Sequence, residues 1–268
     1  MPAVPLLRRS GLALLLAAFS ALAVAQAQKA PSASPPSSYE PTSGQAGKDV
    51  VWVPTPQALV DKMLDMANVT KEDYVMDLGS GDGRTVITAA KRGARALGIE
   101  YNPDMVELSR HNAEKEGVAG KASFLKADLF ETDFSRASVI TMFLLPQINM
   151  KLRAKILALK PGTRIVSNTF DMEDWKADET ADLFRNAGCG TSWCTALLWI
   201  VPARVEGSYK TPQGELTLKQ TFQNLSGTLT SGGASFPLEG KVRGEDISFT
   251  VQGRNYTARM NGKNLELR

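Results

Sequence analysis

Three glycines alternate with other residues in Asp77-Leu78-Gly79-Ser80-Gly81-Asp82-Gly83-Arg84, and an acid precedes them. Residues without a Cβ tolerate positive φ and let backbone approach a bound molecule, so this run reads as a ligand-contacting turn. A dinucleotide fingerprint places its third glycine one residue later, where Arg84 stands. A phosphate-cradling loop needs Gly-Lys-Ser/Thr, which this run lacks, and Asp77 suits a cationic ligand better than a phosphate. Further acids follow at Glu100 and Asp128. With one histidine (His111) and two cysteines (Cys189, Cys194), no His-rich metal site, four-Cys zinc site or Ser-His-Asp triad with a spare histidine can be assembled.

These residues must be positioned by the elements around them. Thr55-Pro56 opens a helix, with Thr55 as N-cap and Pro56 at the first helical position; Leu59, Val60, Met63, Leu64 and Ala67 form its buried face. Strands are expected over 74–78, 96–100, 122–126, 139–143 and 164–168, with helices to about residue 91, over 103–116 and over 147–159 between them. Alternation with short connections implies an α/β domain, a parallel sheet with helices on both faces and a ligand at the carboxyl ends of the strands. Segments 181–184 and 196–203 read as a closing antiparallel pair, with Cys189 and Cys194 in the connection. From residue 205 short alternating strands separated by glycine-rich turns replace this pattern, and Asn261-Gly262 is a hairpin signal. A small antiparallel β-meander is expected there, docked on the first domain.

Ahead of both lies a leader-like segment. Arg8 and Arg9 precede an apolar stretch over 11–25 that ends in Ala23-Val24-Ala25, a small-x-small cleavage pattern. The stretch is shorter than the roughly 20 residues needed to span a bilayer, so a signal peptide over 1–25 is expected and an N-terminal anchor is the lesser alternative. Residues 26–49, rich in Pro, Ser, Gly and Gln, read as a disordered linker. The expected organisation is therefore 1–25 signal, 26–49 linker, 50–204 α/β domain and 205–268 β domain, in an exported protein that is periplasmic or secreted. The formal charge of +3 includes Arg8 and Arg9, which leaves no basic stripe for nucleic acid. In an oxidising compartment two cysteines five positions apart read as a disulfide across a turn.

An acid before Gly-x-Gly-x-Gly at the end of a first strand resembles the signature of class I S-adenosyl-L-methionine methyltransferases, whose fold is a Rossmann-like sheet. That resemblance implies S-adenosyl-L-methionine as cofactor. Gly79, Ser80, Gly81 and Gly83 would lie along its amino-acid end, with Asp77 holding the ammonium. Glu100 would accept the ribose hydroxyls, Tyr101 and Asn102 would flank the adenine, and Asp128 with the Leu129 backbone N–H would meet its edge. Plainer readings stand beside these: Asp128 as a turn cap, Glu100 as a solvated strand end, Arg84 in a surface ion pair, His111 as a solvated helix residue.

Thr55-Pro56, the glycine turn, Gly98-Ile-Glu-Tyr-Asn-Pro103, Ser109-Arg110, Phe124 with Asp128-Leu129, and Phe143-Leu-Leu-Pro146 are similar to the small lysine methyltransferases of the ATP synthase c-subunit and adenine nucleotide translocase, and to their prokaryotic relatives. The likeness covers about residues 52–175 and implies a protein or small amine acceptor. Enzymes acting on amide or base nitrogens usually carry Asp/Asn-Pro-Pro-aromatic after the fourth strand, whereas this chain has Met142-Phe143-Leu144-Leu145-Pro146. Freeing a lysine amine of its proton at pH 7 costs roughly 4.6 kcal/mol, and desolvation in an apolar channel can offset that without a general base. Phe143 and Leu144 fit such a channel, and equally the buried end of a core strand. Two other functions stay open: an exported non-catalytic binding protein with the meander as partner surface, and, less well matched because of Arg84, a nucleotide-dependent oxidoreductase.

Overall fold

The computed structural model describes residues 39–184 and 189–268. The expected signal segment lies outside the described residues. In chain order the elements of the first part are α1 (Gln57–Met66), β1 (Tyr74–Leu78), α2 (Arg84–Lys91), β2 (Arg95–Glu100), α3 (Pro103–Lys115), β3 (Ala122–Lys126), β4 (Val139–Met142), α4 (Pro146–Leu157), β5 (Arg164–Asn168), β6 (Glu179–Asp182) and β7 (Thr195–Ile200).

The strands form one sheet in the order β3-β2-β1-β4-β5-β7-β6. The first five are parallel, and β7 runs antiparallel between β5 and β6. Every residue of β4 is buried, and four of five in β1 and β5, as a sheet covered on both faces requires. One face packs Val75, Val139 and Val166 with α1 residues Leu59, Val60, Met63 and Leu64. The other packs Met76, Leu78, Ile140 and Met142 with α4 residues Ile148, Leu152 and Ile156, which recur at helical spacing.

Local details differ from the sequence reading in three places. The first helix takes Pro56 rather than Thr55 as its N-cap, with no side-chain capping bond. The Thr55 hydroxyl instead accepts from Asn168 Nδ2 at 3.4 Å, and its carbonyl accepts from Arg84 Nη1 at 3.0 Å. The fourth strand ends at Met142, since Pro146 at the start of α4 draws Leu145 into an extended cap and leaves Phe143 beyond the ladder. The third difference is the end of the expected linker, which is structured. Residues 44–52 form a hairpin in which Gly44 N donates to Trp52 O (2.8 Å), Trp52 N to Gln45 O (2.9 Å) and Gly47 N to Val50 O (3.0 Å). Its order comes from tertiary contacts that composition does not register.

The second sheet runs β8 (Gly207–Thr211), β9 (Gly214–Thr221), β10 (Asn224–Ser231), β11 (Ala234–Arg243), β12 (Asp246–Val251), β13 (Arg254–Asn261) and β14 (Asn264–Leu267) as an antiparallel meander. Two-residue turns join its strands, and the last turn is Gly262-Lys263, with Asn261 ending β13. In β12 Ile247, Phe249 and Val251 are buried while Asp246, Ser248 and Thr250 are exposed, and the buried set packs into a core of its own. The meander docks through its turns: Phe222 stacks on Trp175 at 5.9 Å, Gln223 Nε2 donates to Lys176 O (2.7 Å), and Ala203 N donates to Gly244 O (2.7 Å). Arg243 pairs with Glu179 at 2.6 Å on the same side.

Candidate active site

A cleft opens at the carboxyl ends of β1, β2, β4 and β5, where the strand order reverses about β1. Its floor is the glycine turn. Gly79, Gly81 and Gly83 have φ of 81°, 53° and 83°. Space also demands glycine here: a Cβ on Gly81 would meet the Trp52 indole Nε1 at 2.4 Å, and one on Gly83 would meet Phe124 at 2.8 Å. Helix α3 fixes the turn from behind. Ser109 Oγ donates to Gly81 O (2.8 Å) and Asn112 Nδ2 to Asp82 O (3.0 Å).

Glu100 closes the turn from the front. One carboxylate oxygen accepts from Gly81 N and the other from Asn102 N, both at 2.9 Å. Each oxygen keeps a lone pair for a ligand donor in the cleft. Asp77 lies deeper and is buried, with Oδ1 accepting from Thr141 Oγ1 at 2.6 Å. Burial pushes its carboxyl up to about 7, and the neighbouring Glu100 and Asp82 carboxylates push the same way. Ser80 lines the same space, while its hydroxyl is buried over Gly98 without a hydrogen-bond partner. A buried carboxyl with a free oxygen and glycine backbone open to close approach suit a ligand with a cationic, hydrogen-bonding end.

The adenine-side candidates are rearranged. Tyr101 is half exposed, with Lys48 Nζ 4.9 Å from its ring centroid. Lys48 also ion-pairs with Asp128, which draws that carboxyl below its ordinary range and raises the lysine. Asp128 Oδ1 accepts from Phe130 N at 2.9 Å, so its turn-capping role is real as well. Asn102 caps α3, its Oδ1 accepting from Asp104 N at 2.9 Å, so its side chain is committed to the helix although the residue lines the cleft. Leu129 lines the cleft and is half-buried. Arg84 pairs with Asp82 at 2.6 Å, the plainer of its two readings. His111 is half-buried, with Nδ1 out of solvent and unpartnered, where a solvated side chain was expected.

Part of the cleft wall is apolar. Leu144 is buried and reaches toward Gly79, and Phe143 is half-buried. Two residues not legible in the sequence join them. Phe170 stacks on Phe143 at 5.8 Å between centroids, and Trp193 meets Phe143 at 6.3 Å, tilted by 59°. Phe170 follows Thr169, whose φ is 59°. A β-branched residue in the left-handed region costs on the order of 1–3 kcal/mol, and such strain gathers at functional sites. Trp193 is held by the disulfide between Cys189 and Cys194, whose Cα atoms are 6.1 Å apart and whose side chains are buried in the core below it.

Residues 77–179 match the family model described as the ANTKMT methyltransferase domain. The chain is 47% identical over 133 residues to a protein-lysine N-methyltransferase of Saccharolobus islandicus (strain REY15A), covering 48% of this chain and 83% of that relative. It is 36% identical over 143 residues to the lysine N-methyltransferase of the ATP synthase c-subunit from Rattus norvegicus, covering 53% of this chain and 64% of the relative, short of two thirds of its length. Among solved structures, an RNA methyltransferase from Salinibacter ruber in complex with S-adenosyl-L-homocysteine superimposes with a TM-score of 0.52 at 45% identity, over 57% of this chain and 96% of that one.

Proposed function

The chain belongs to the ANTKMT methyltransferase family and is an S-adenosyl-L-methionine-dependent methyltransferase; on that premise we propose that it methylates the side-chain amine of protein lysine, in an exported and oxidising compartment. The cleft fits the cofactor. Asp77 and the backbone of the glycine turn would hold its amino-acid end, and Glu100 would take the ribose hydroxyls. When bound, the cofactor supplies an electrophilic methyl group, which the acceptor nitrogen takes with its lone pair while the electrons of the broken bond remain on sulfur.

The observation that carries the amine reading is the apolar part of the cleft wall. Phe143, Leu144, Phe170 and Trp193 line the same cleft as the acids Asp77, Glu100 and Asp128. Phe143 and Leu144 would desolvate the acceptor, favouring the neutral, nucleophilic amine over the ammonium. The run Phe143-Leu144-Leu145-Pro146 after β4 offers no acid or amide to orient an amide or a base. The lysine acceptors named for two of the relatives support the same choice.

Export is supported by the leader pattern over 1–25 and by the disulfide, a bond that persists in oxidising compartments. Among the described residues no helix is long and apolar enough to cross a membrane. The test is the rate of transfer at saturating cofactor as a function of pH. It should rise toward the acceptor's own pKa, and Phe143→Asp should abolish transfer while leaving cofactor affinity within about tenfold. Transfer that survives Phe143→Asp would remove the apolar channel from the account.

A further inference from the structure

Strand β4 is buried along its whole length, yet one of its residues carries a hydroxyl. Thr141 is fully buried, with Val139, Ile140 and Met142 as its strand neighbours. A valine would fill the same volume with no polar group to satisfy, whereas a buried hydroxyl is costly unless it finds a partner. Its partner is Asp77. Parallel pairing sets Asp77 beside Thr141, as it sets Met76 beside Ile140, so the two side chains share one face of the sheet. Thr141 Oγ1 donates to Asp77 Oδ1 at 2.6 Å. Asp77 lines the cleft and Thr141 stands behind it, outside the lining.

The other groups around this carboxyl oppose its charge or are indifferent to it. Burial disfavours the ionised form, and the carboxylates of Glu100, at the end of β2, and Asp82, in the glycine turn, repel it. Two cations of the cleft are engaged elsewhere: Arg84, at the start of α2, pairs with Asp82, and Lys48 with Asp128. The α1 and β5 side chains packed on the same face, Leu59, Val60, Met63, Leu64 and Val166, do not titrate. Among the described residues the Thr141 hydroxyl is the group that favours the carboxylate, because a donated proton is held more strongly by an ionised oxygen than by a neutral one.

We propose that Thr141 is a positioning residue for cofactor binding, whose hydroxyl engages Asp77 Oδ1, favours the ionised carboxyl and leaves the other oxygen for the cofactor's ammonium. The inference rests on Asp77 holding that ammonium and is independent of the acceptor's identity. Thr141 acts only through Asp77. Its removal therefore changes the pH at which the site becomes competent to bind, whereas a loss of packing alone would weaken binding equally at every pH.

The experiment is calorimetric titration of the purified protein with S-adenosyl-L-homocysteine from about pH 6 to about pH 9.5. Comparing each variant with the unmodified protein at the same pH cancels the titration of the ligand's own amino group. Loss of a hydrogen bond to a charged group should move the Asp77 titration up by about 1–2 pH units. The dissociation constant of Thr141→Val should then exceed that of the unmodified protein by about 5- to 50-fold at pH 7, and by no more than about twofold at pH 9.5. Thr141→Ala, which empties the space instead of filling it, should show the same dependence on pH. Thr141→Ser, which keeps the hydroxyl, should stay within about threefold of the unmodified protein throughout. Thermal melting shows whether each variant folds. A ratio that is the same at both pH values, or close to one at both, would overturn the role of Thr141. Asp77→Asn separates this from the reading beneath it: if that variant binds as tightly as the unmodified protein at pH 9.5, Asp77 does not hold the ammonium and the inference fails with it. Weakened binding by Asp77→Asn together with a flat Thr141→Val ratio would overturn Thr141 alone.

Discussion

Lys48 and Asp128, eighty residues apart, are joined by an ion pair across the mouth of the cofactor cleft. The lysine comes from the turn of the hairpin over 44–52, whose Trp52 lies against Gly81, so the hairpin covers the floor of the cleft and is latched at its tip. The carboxylate it holds is the one the family resemblance assigns to the adenine amino group. Lys48→Ala should therefore speed both association and dissociation of S-adenosyl-L-homocysteine, by several-fold in stopped-flow measurements. Raising the salt concentration should have the same effect on the unmodified protein, because a partly exposed pair is screened. Exchange rates that ignore both the substitution and the salt would show that the hairpin does not control access.

Asp77 makes cofactor binding depend on pH. Its carboxyl titrates at about 7 in the ligand-free protein, so the form that can pair with the cofactor's ammonium is lost as pH falls through that value. Affinity for S-adenosyl-L-homocysteine should drop between about pH 8 and pH 6, with proton release on binding seen as a buffer-dependent heat. The stability sign is the reverse of the usual carboxylate. A raised folded-state pKa means the native protein holds a proton that the unfolded chain has lost, so ligand-free stability declines as pH rises from about 4 to about 7. Asp77→Asn should be more stable than the unmodified protein at pH 8, by up to about 4 kcal/mol, while binding the cofactor more weakly. Denaturant melts at pH 5 and pH 8 measure the first effect; equal pH slopes for the two proteins would refute it.

Glu100 uses both oxygens on backbone amides of the turn, so removing it affects turn and ligand together. Glu100→Ala should weaken S-adenosyl-L-homocysteine binding by about 1.5–3 kcal/mol, the range for a charged hydrogen-bonding partner. Calorimetric affinity within twofold of the unmodified protein would exclude the ribose role.

The disulfide should matter more to Trp193 than to the fold as a whole. Closing so short a loop is worth about 2 kcal/mol in the chain-entropy account, or roughly 4–8 °C in melting temperature for a protein of this size. Cys194→Ser should produce a loss of that order and raise the acceptor KM, with cofactor affinity nearly unchanged. Mass spectrometry of non-reduced protein from its own compartment should find no alkylatable thiol at Cys189 or Cys194; two free thiols there would count against export.

The glycine turn, the acids at the ends of β1 and β2, the strand sequence and the cysteine pairing were legible because each is set by local chemistry: positive φ, strand–turn–helix boundaries, period-2 and period-3.6 burial. What escaped depends on distant parts of the chain. Residues 44–49 look like tether by composition, yet Lys48 finds Asp128 and Trp52 finds the space that Gly81 leaves. Asn102 reads as an adenine neighbour, and only the bond from Asp104 N to its side chain shows that it caps α3. Phe170 and Trp193 had no signal, since a ring in a loop joins a site only when the backbone brings it there. The strained Thr169 that aims Phe170 is a β-branched residue where sequence rules expect glycine or asparagine.

The central claim, transfer of methyl groups to lysine amines, is tested most directly by identifying the residue that is methylated. The purified protein is incubated with tritiated S-adenosyl-L-methionine and envelope extract from a strain lacking the gene, and labelled peptides are recovered after digestion and sequenced. Label is expected on lysine side chains, at a rate that rises with pH and is abolished by Phe143→Asp. Label confined to a carboxylate, a hydroxyl, a lipid or RNA, or no label with the cofactor bound, would contradict it.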